Sequence, residues 1–207
     1  MATDGSGEAA APGRWRGGWY RPARAVASPN FNRRPPGTCV ELVVIHNISL
    51  PPGVFRGDAI ERLFTNTLDP GAHPYFTQLI GLRVSAHFLV RRNGALLQFV
   101  SCDDRAWHAG ASSWRGRSDC NDFSIGIEVE GSDATRFTAR QYARLARLLR
   151  RLRAAYPAIS GVAGHSEIAP GRKTDPGPYF DWARLLSESG LDDVGHALRR
   201  LDPAPPG

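Results

Sequence analysis

The sequence predicts a single α/β domain, and three observations carry that expectation. Leu42-Val43-Val44-Ile45-His46 is a continuous apolar run that ends in a histidine, the pattern of a strand buried on both faces of a sheet. The apolar runs 84–90 and 96–100 flank Arg92-Asn93-Gly94-Ala95, and an Asn-Gly pair in that setting is a strong hairpin signal. Thr138 with Gln141 forms a helix-capping pattern, after which Tyr142, Leu145, Leu149, Leu152 and Tyr156 recur at helical spacing until Pro157. The 207 residues suffice for one buried core, and no low-complexity linker divides them.

The elements follow in order. Residues 1–24 are expected to be a disordered extension, because Gly-Ser-Gly, an alanine run and scattered arginines offer few apolar groups. The folded domain is expected to span 25–187. Pro-rich 28–36 should wrap its edge with Phe31 packed inward. After the strand at 42–46, Asn47 to Gly53 leaves the sheet as a loop, and Asp58 with Glu61 predicts a short capped helix. Within the hairpin, His87 reads as a buried, hydrogen-bonded structural histidine. Trp107-His108-Ala109-Gly110 is a loop whose Trp could wall a sugar or peptide, or simply fill the core. Ser124 to Glu130 alternates strictly, with Ile125, Ile127 and Val129 on one face and Glu128 and Glu130 on the other. Those glutamates are either the solvated face of an edge strand or include a general base, and spacing does not choose between them. Asp181 to Leu186 should form a short helix that packs Trp182 on the sheet, and 188–207 a weakly structured tail.

The net charge of +6 and pI near 9.8 suit an anionic partner of some kind. No aromatic-interleaved basic cluster or recognition helix is present, so nucleic acid is not the expected partner. No apolar run reaches the ~20 residues of a bilayer span, and the N-terminus, with Asp4 and Glu8, lacks the apolar core of a secretory signal. Cys39, Cys102 and Cys120 are odd in number and lack CxxC spacing. A cytoplasmic protein with reduced thiols, monomeric and without membrane attachment, is expected.

The stretch from His165 to Pro178 carries the chemistry. Three prolines and two glycines between 170 and 178 forbid a helix there. His165 and Asp175 are Zn²⁺-competent, and Lys173 stands two residues before Asp175, so an extended loop aims both at one point. Lys173 is also the only lysine among 26 basic residues, which suggests that a compact ammonium is required there instead of a guanidinium. Sites in open α/β sheets lie beyond the carboxyl ends of strands, which lets His46 join His165 and Asp175.

Five ordered blocks then carry a resemblance: His46–Gly53, Arg83–His87, Arg105–Gly110, Asn121–Glu128 and Lys173–Pro178. Together they closely resemble the cytoplasmic 1,6-anhydro-N-acetylmuramyl-L-alanine amidases of Gram-negative bacteria, from about residue 28 to 186. The resemblance implies a zinc amidase whose mixed central sheet is flanked by helices, a fold shared with amidase-type phage lysozymes and peptidoglycan recognition proteins. It implies Zn²⁺ held by His46, His165 and Asp175, with Glu128 activating water and Lys173 stabilising the oxyanion. Asn47, Arg83, Trp107 and Ala169 would line the groove for a small anhydro-muropeptide, in cell-wall recycling. Two positions depart from the family pattern. Asp119 replaces an arginine that helps bind a substrate carboxylate, with Arg117 as a nearby stand-in, and Arg56 replaces a glycine at the entrance loop. A non-catalytic muropeptide-binding module and a purely structural metal site are the alternatives; the first usually lacks a ligand and the second has a closed four-ligand shell.

Overall fold

The computed structural model describes residues 14–191 and the backbone of 195–196. The expectations for 1–13 and for the rest of the tail lie outside those residues. Seven strands form one sheet in the order Gly195–His196, Gly161–Gly164, Leu42–Ile48, Ser124–Glu130, Phe88–Val90, Leu96–Gln98, Arg24–Ala25. The first five are parallel and the last two run against them, so the sheet is mixed. The apolar run at 42–46 is central, which is why it can be hydrophobic on both faces.

The period of two divides the work between those faces. Val43, Ile45, Ile125, Ile127 and Val129 pack under the helix Ala139–Ala155, against its Tyr142, Leu145, Leu149 and Leu152. Leu42 and Val44 point the other way, with Phe123, Ala163 and Ile168, and His46 is the next residue on that face. The long helix begins as its sequence requires: Thr138 Oγ1 accepts from Gln141 N–H, and Gln141 Oε1 accepts from Thr138 N–H. The hairpin closes through Arg91 N–H to Ala95 C=O, and Gly94 adopts φ +81°, a left-handed conformation that glycine accommodates without strain.

Ser124–Glu130 is an inner strand, so the solvated-edge alternative does not hold. Its register sets Glu128 beside His46 and Glu130 beside Ile48, and both carboxylates are buried. Three further expectations are corrected. Phe31 is 42% exposed, because its short strand pairs with Asp104–Ala106 at the margin and not over the core. Asp58 precedes the helix Ala59–Phe64 but makes no side-chain cap; its carboxylate takes Arg62 instead, while Glu61 pairs with Arg24 and Arg91. Residues 14–24, expected to be disordered, lie on the domain. Tyr20 is 4% exposed and Trp15 packs on it at 4.7 Å between ring centroids, while Gly18 approaches so closely that a Cβ would meet Ser101 Oγ at 2.1 Å. The physical reason is that two aromatics and a close backbone contact anchor a segment whose average composition is polar. Removal of residues 1–24 therefore lowers stability, by about 1.5–3 kcal/mol for Tyr20 alone. Urea denaturation of the truncated protein checks this; an unchanged midpoint and slope contradict it.

Candidate metal centre and cleft

Two adjacent strands and one loop converge at the carboxyl edge of the sheet. His46 closes the apolar strand, and His165 opens the single helical turn His165–Ile168 that follows the neighbouring strand Gly161–Gly164. Beyond it the chain is irregular from Pro170, as its prolines and glycines demand, and Asp175 returns to the site because its C=O accepts from Ser166 N–H at 2.9 Å. His46 Nδ1 lies 3.0 Å from His165 Nδ1 and 3.0 Å from Asp175 Oδ2, and His165 Nδ1 lies 3.1 Å from the same oxygen. Both imidazoles are buried.

The donor chemistry fits a cation. His165 Nε2 lies 2.9 Å from the Ala109 carbonyl oxygen, which can only accept, so Nε2 carries the proton. In the neutral ring Nδ1 is then a lone pair aimed at a carboxylate oxygen. Lone pairs facing each other at this range call for a cation between them. Donors around a tetrahedral zinc with ~2.0–2.1 Å bonds stand about 3.3 Å apart, close to the separations seen here. Burial is the main cause that lowers the His46 pKa to about 4, against the pull of Asp175, so the ring is neutral and ligand-competent near pH 7. Burial raises the Asp175 carboxyl, but when a proton sits between the rings and the carboxylate in place of a cation, the two imidazoles hold the group well below the usual carboxylate range.

The two glutamates of the inner strand differ in partners. Glu130 is neutralised by Arg91 at 2.6 Å and accepts from Arg92 N–H. Glu128 faces the cleft, and its Oε2 is buried without a hydrogen-bond partner among the described residues. Burial, reinforced by the Asp175 charge, pushes its pKa well above the ordinary value, and Lys173 pulls the other way. A partially desolvated carboxyl beside a metal-competent cluster suits proton transfer.

These groups border a cavity of 450 Å³, within the range for small-ligand sites. Asn47, Trp107, Glu128, Lys173 and the three metal-competent residues line it, opposite an apolar wall that includes Leu50, Tyr75, Leu79 and Leu82. Asn47 is held by Asp133 at 2.6 Å, and Trp107 Nε1 donates to Asn32 Oδ1. Two residues expected in the groove are not brought to it. Arg83 borders a separate hollow beside Ile80 and Leu82, and the Ala169 side chain is buried while its C=O accepts from Arg172 and Lys173 N–H. Arg117 is not a stand-in at the cleft: Glu41 holds it at 2.9 Å and it lies over the Phe123 ring. Arg56 lines a different hollow with Arg91 and Glu130, away from this entrance.

Sequence reasoning missed Asp133, Arg172 and His108. Arg172 donates to the carbonyls of Ala109 and Ala111, binding the loop at 109–111 to the metal loop. His108 Nδ1 lies 3.0 Å from His46 Nε2, and its signal was Gly126, a glycine in the interior of a buried strand, which often marks a close approach. Asp133 left no comparable signal.

The N-acetylmuramoyl-L-alanine amidase family model matches residues 35–178. The 1,6-anhydro-N-acetylmuramyl-L-alanine amidase AmpD of Salmonella typhimurium is 56% identical over 169 residues, covering 81% of this chain and 90% of that protein. A crystal structure of a selenomethionine AmpD derivative superposes with a TM-score of 0.82 at 55% identity, covering 84% of this chain and 97% of the other. The amidase AmiD of Escherichia coli, solved with the substrate anhydro-N-acetylmuramic acid-L-Ala-D-gamma-Glu-L-Lys, superposes with a TM-score of 0.53 at 30% identity, covering 75% and 60%. With the strand order, the His-His-Asp cluster and these likenesses in agreement, the chain belongs to the N-acetylmuramoyl-L-alanine amidase family.

Proposed function

We propose that the protein is a zinc amidase that hydrolyses the amide between the lactyl group of 1,6-anhydro-N-acetylmuramic acid and the L-alanine of the stem peptide. The observation that carries this reading is the pair of lone-pair nitrogens and one carboxylate oxygen gathered beside an unpaired buried Glu128 at the cleft. His46, His165 and Asp175 would hold the metal. When bound, zinc brings the pKa of a water from ~15.7 toward ~7 and polarises a carbonyl. Glu128 takes the proton from the attacking water and later returns it to the departing alanine nitrogen. Lys173 offers its ammonium to the oxygen that gains negative charge. Asn47 and Trp107 orient the sugar and peptide in the cleft. Three protein ligands beside an open cavity favour catalysis over a closed structural site and over a binding module that lacks a ligand. We place this activity in cytoplasmic cell-wall recycling, by a monomer.

The test is incubation of zinc-loaded protein with anhydro-muropeptide, with free stem peptide and anhydro sugar detected by mass spectrometry. Absence of both products at stoichiometric zinc rejects the reading. Lys173→Met should lower kcat by roughly 10²–10³, or ~2.7–4 kcal/mol, because it removes an interaction made mainly in the transition state. Zinc content and KM should stay near wild type, and Lys173→Arg should rescue little, since a planar guanidinium does not fit a compact ammonium's place. A variant that keeps its kcat but loses affinity would make Lys173 an anchor for a substrate carboxylate.

A further inference from the structure

The side of each metal-competent imidazole that faces away from the cluster is held by one short segment. His46 Nε2 meets His108 Nδ1 at 3.0 Å, and His165 Nε2 meets the carbonyl of the next residue, Ala109, at 2.9 Å. That segment is itself fixed. Asn121 Oδ1 accepts from the N–H groups of both His108 and Ala109, at 3.1 and 2.8 Å, and Ser85 Oγ accepts from Trp107 N–H. The far nitrogen of His108 lies 3.2 Å from Ser124 Oγ. Beneath it, Arg34 donates to the carbonyls of Asn121, Asp122 and Ser124, which secures the floor.

The space for a third imidazole is built into the inner strand. Ser124, Gly126 and Glu128 share one face, and a Cβ at Gly126 would stand 2.4 Å from His108 Cγ. Only glycine leaves room for the ring there. The protons then follow a single consistent direction. If His46 Nδ1 is a metal donor, its Nε2 carries the hydrogen and donates to His108 Nδ1, and His108 Nε2–H donates to Ser124 Oγ.

We propose that His108 is a positioning residue, whose Nδ1 accepts from His46 Nε2–H and fixes the tautomer and ring plane that present His46 Nδ1 to the metal. This rests on the metal reading above. Such outer-shell acceptors raise ligand basicity and orient the ring, and their loss typically costs 10–100-fold in metal affinity.

The experiment measures zinc dissociation constants by chelator competition for wild type, His108→Phe and His108→Asn. Asn Oδ1 stands where His Nδ1 does, so it can still accept from His46. Zinc binding should weaken about 10–100-fold in His108→Phe, and His108→Asn should recover most of that loss. In zinc-loaded wild type, nitrogen NMR of the His46 ring should show Nε2 protonated, a readout that holds even where a variant fails to fold. A folded His108→Phe protein with wild-type zinc affinity overturns the inference while leaving the zinc site standing, and a His46 ring protonated at Nδ1 removes His46 from the metal's ligands and overturns both. A wild-type protein that binds no zinc overturns the metal reading and this inference with it.

Discussion

Asp175→Ala and His46→Ala should each abolish amidase activity and reduce bound zinc from one per chain to a trace after dialysis. Each removes one of three protein donors from a site whose donor atoms lie within 4.8 Å of one another, and metal binding depends on the complete set. Asp175 also carries the only negative charge in the cluster, so its loss leaves a dication facing two neutral rings and Lys173. His46→Ala further strands the acceptor of His108. Elemental analysis with a parallel assay decides the matter: an alanine variant with stoichiometric zinc and wild-type kcat places the metal elsewhere. The same chemistry sets a pH dependence. His46 is neutral until the pH falls to about 4, and the Asp175 carboxyl ionises well below the ordinary range. Protons therefore compete for the His46 donor only as the pH approaches 4, and zinc content after dialysis should fall there.

Glu128→Gln lowers kcat by about 10²–10⁴, the usual worth of a positioned general acid and base, while zinc content stays near wild type. Glutamine keeps the shape but cannot take a proton from water. Burial holds the native carboxyl's pKa well above 4.5 in the metal-free protein. Below its pKa the group is protonated and cannot act as a base. A raised carboxyl pKa also means that the folded state resists ionisation. That cost is absent below the unfolded value and grows as pH rises through the folded one. Metal-free Glu128→Gln should therefore exceed wild type in Tm at pH 8 and converge with it toward pH 4. Equal kcat for the two proteins would remove Glu128 from the mechanism.

Some of this was legible because the relevant signals are local. The run at 42–46 reads as a buried strand, Asn93-Gly94 as a turn and Thr138 with Gln141 as a cap, because each pattern is set by contacts within a few residues. The donor types at His46, His165 and Asp175, and the lone lysine at 173, could likewise be read from residue chemistry. Phe31 could not: its apolar side chain suggested an inward position, and the marginal pairing with Asp104–Ala106 decided otherwise. Trp15 and Tyr20 were hidden in a polar-average segment, since Trp15 packs on Tyr20 and meets the Tyr156 ring edge-on, far along the chain.

The sequence by itself determined the α/β class, the central strand, the long capped helix and the irregular loop from Pro170, since hydrophobic period, capping chemistry and proline geometry act at short range. Spacing alone left Glu128 and Glu130 level; the family resemblance pointed to Glu128, and the tertiary structure supplies a physical reason for the difference. They share a face and a spacing, and the difference lies in Arg91, which neutralises one, and in the register that sets the other beside His46. It also decided that His108 stands behind His46 and that Ala109 aligns His165. Those roles depend on groups 56–62 residues apart in sequence meeting within 3.0 Å, a distance that only the folded sheet and its loops impose.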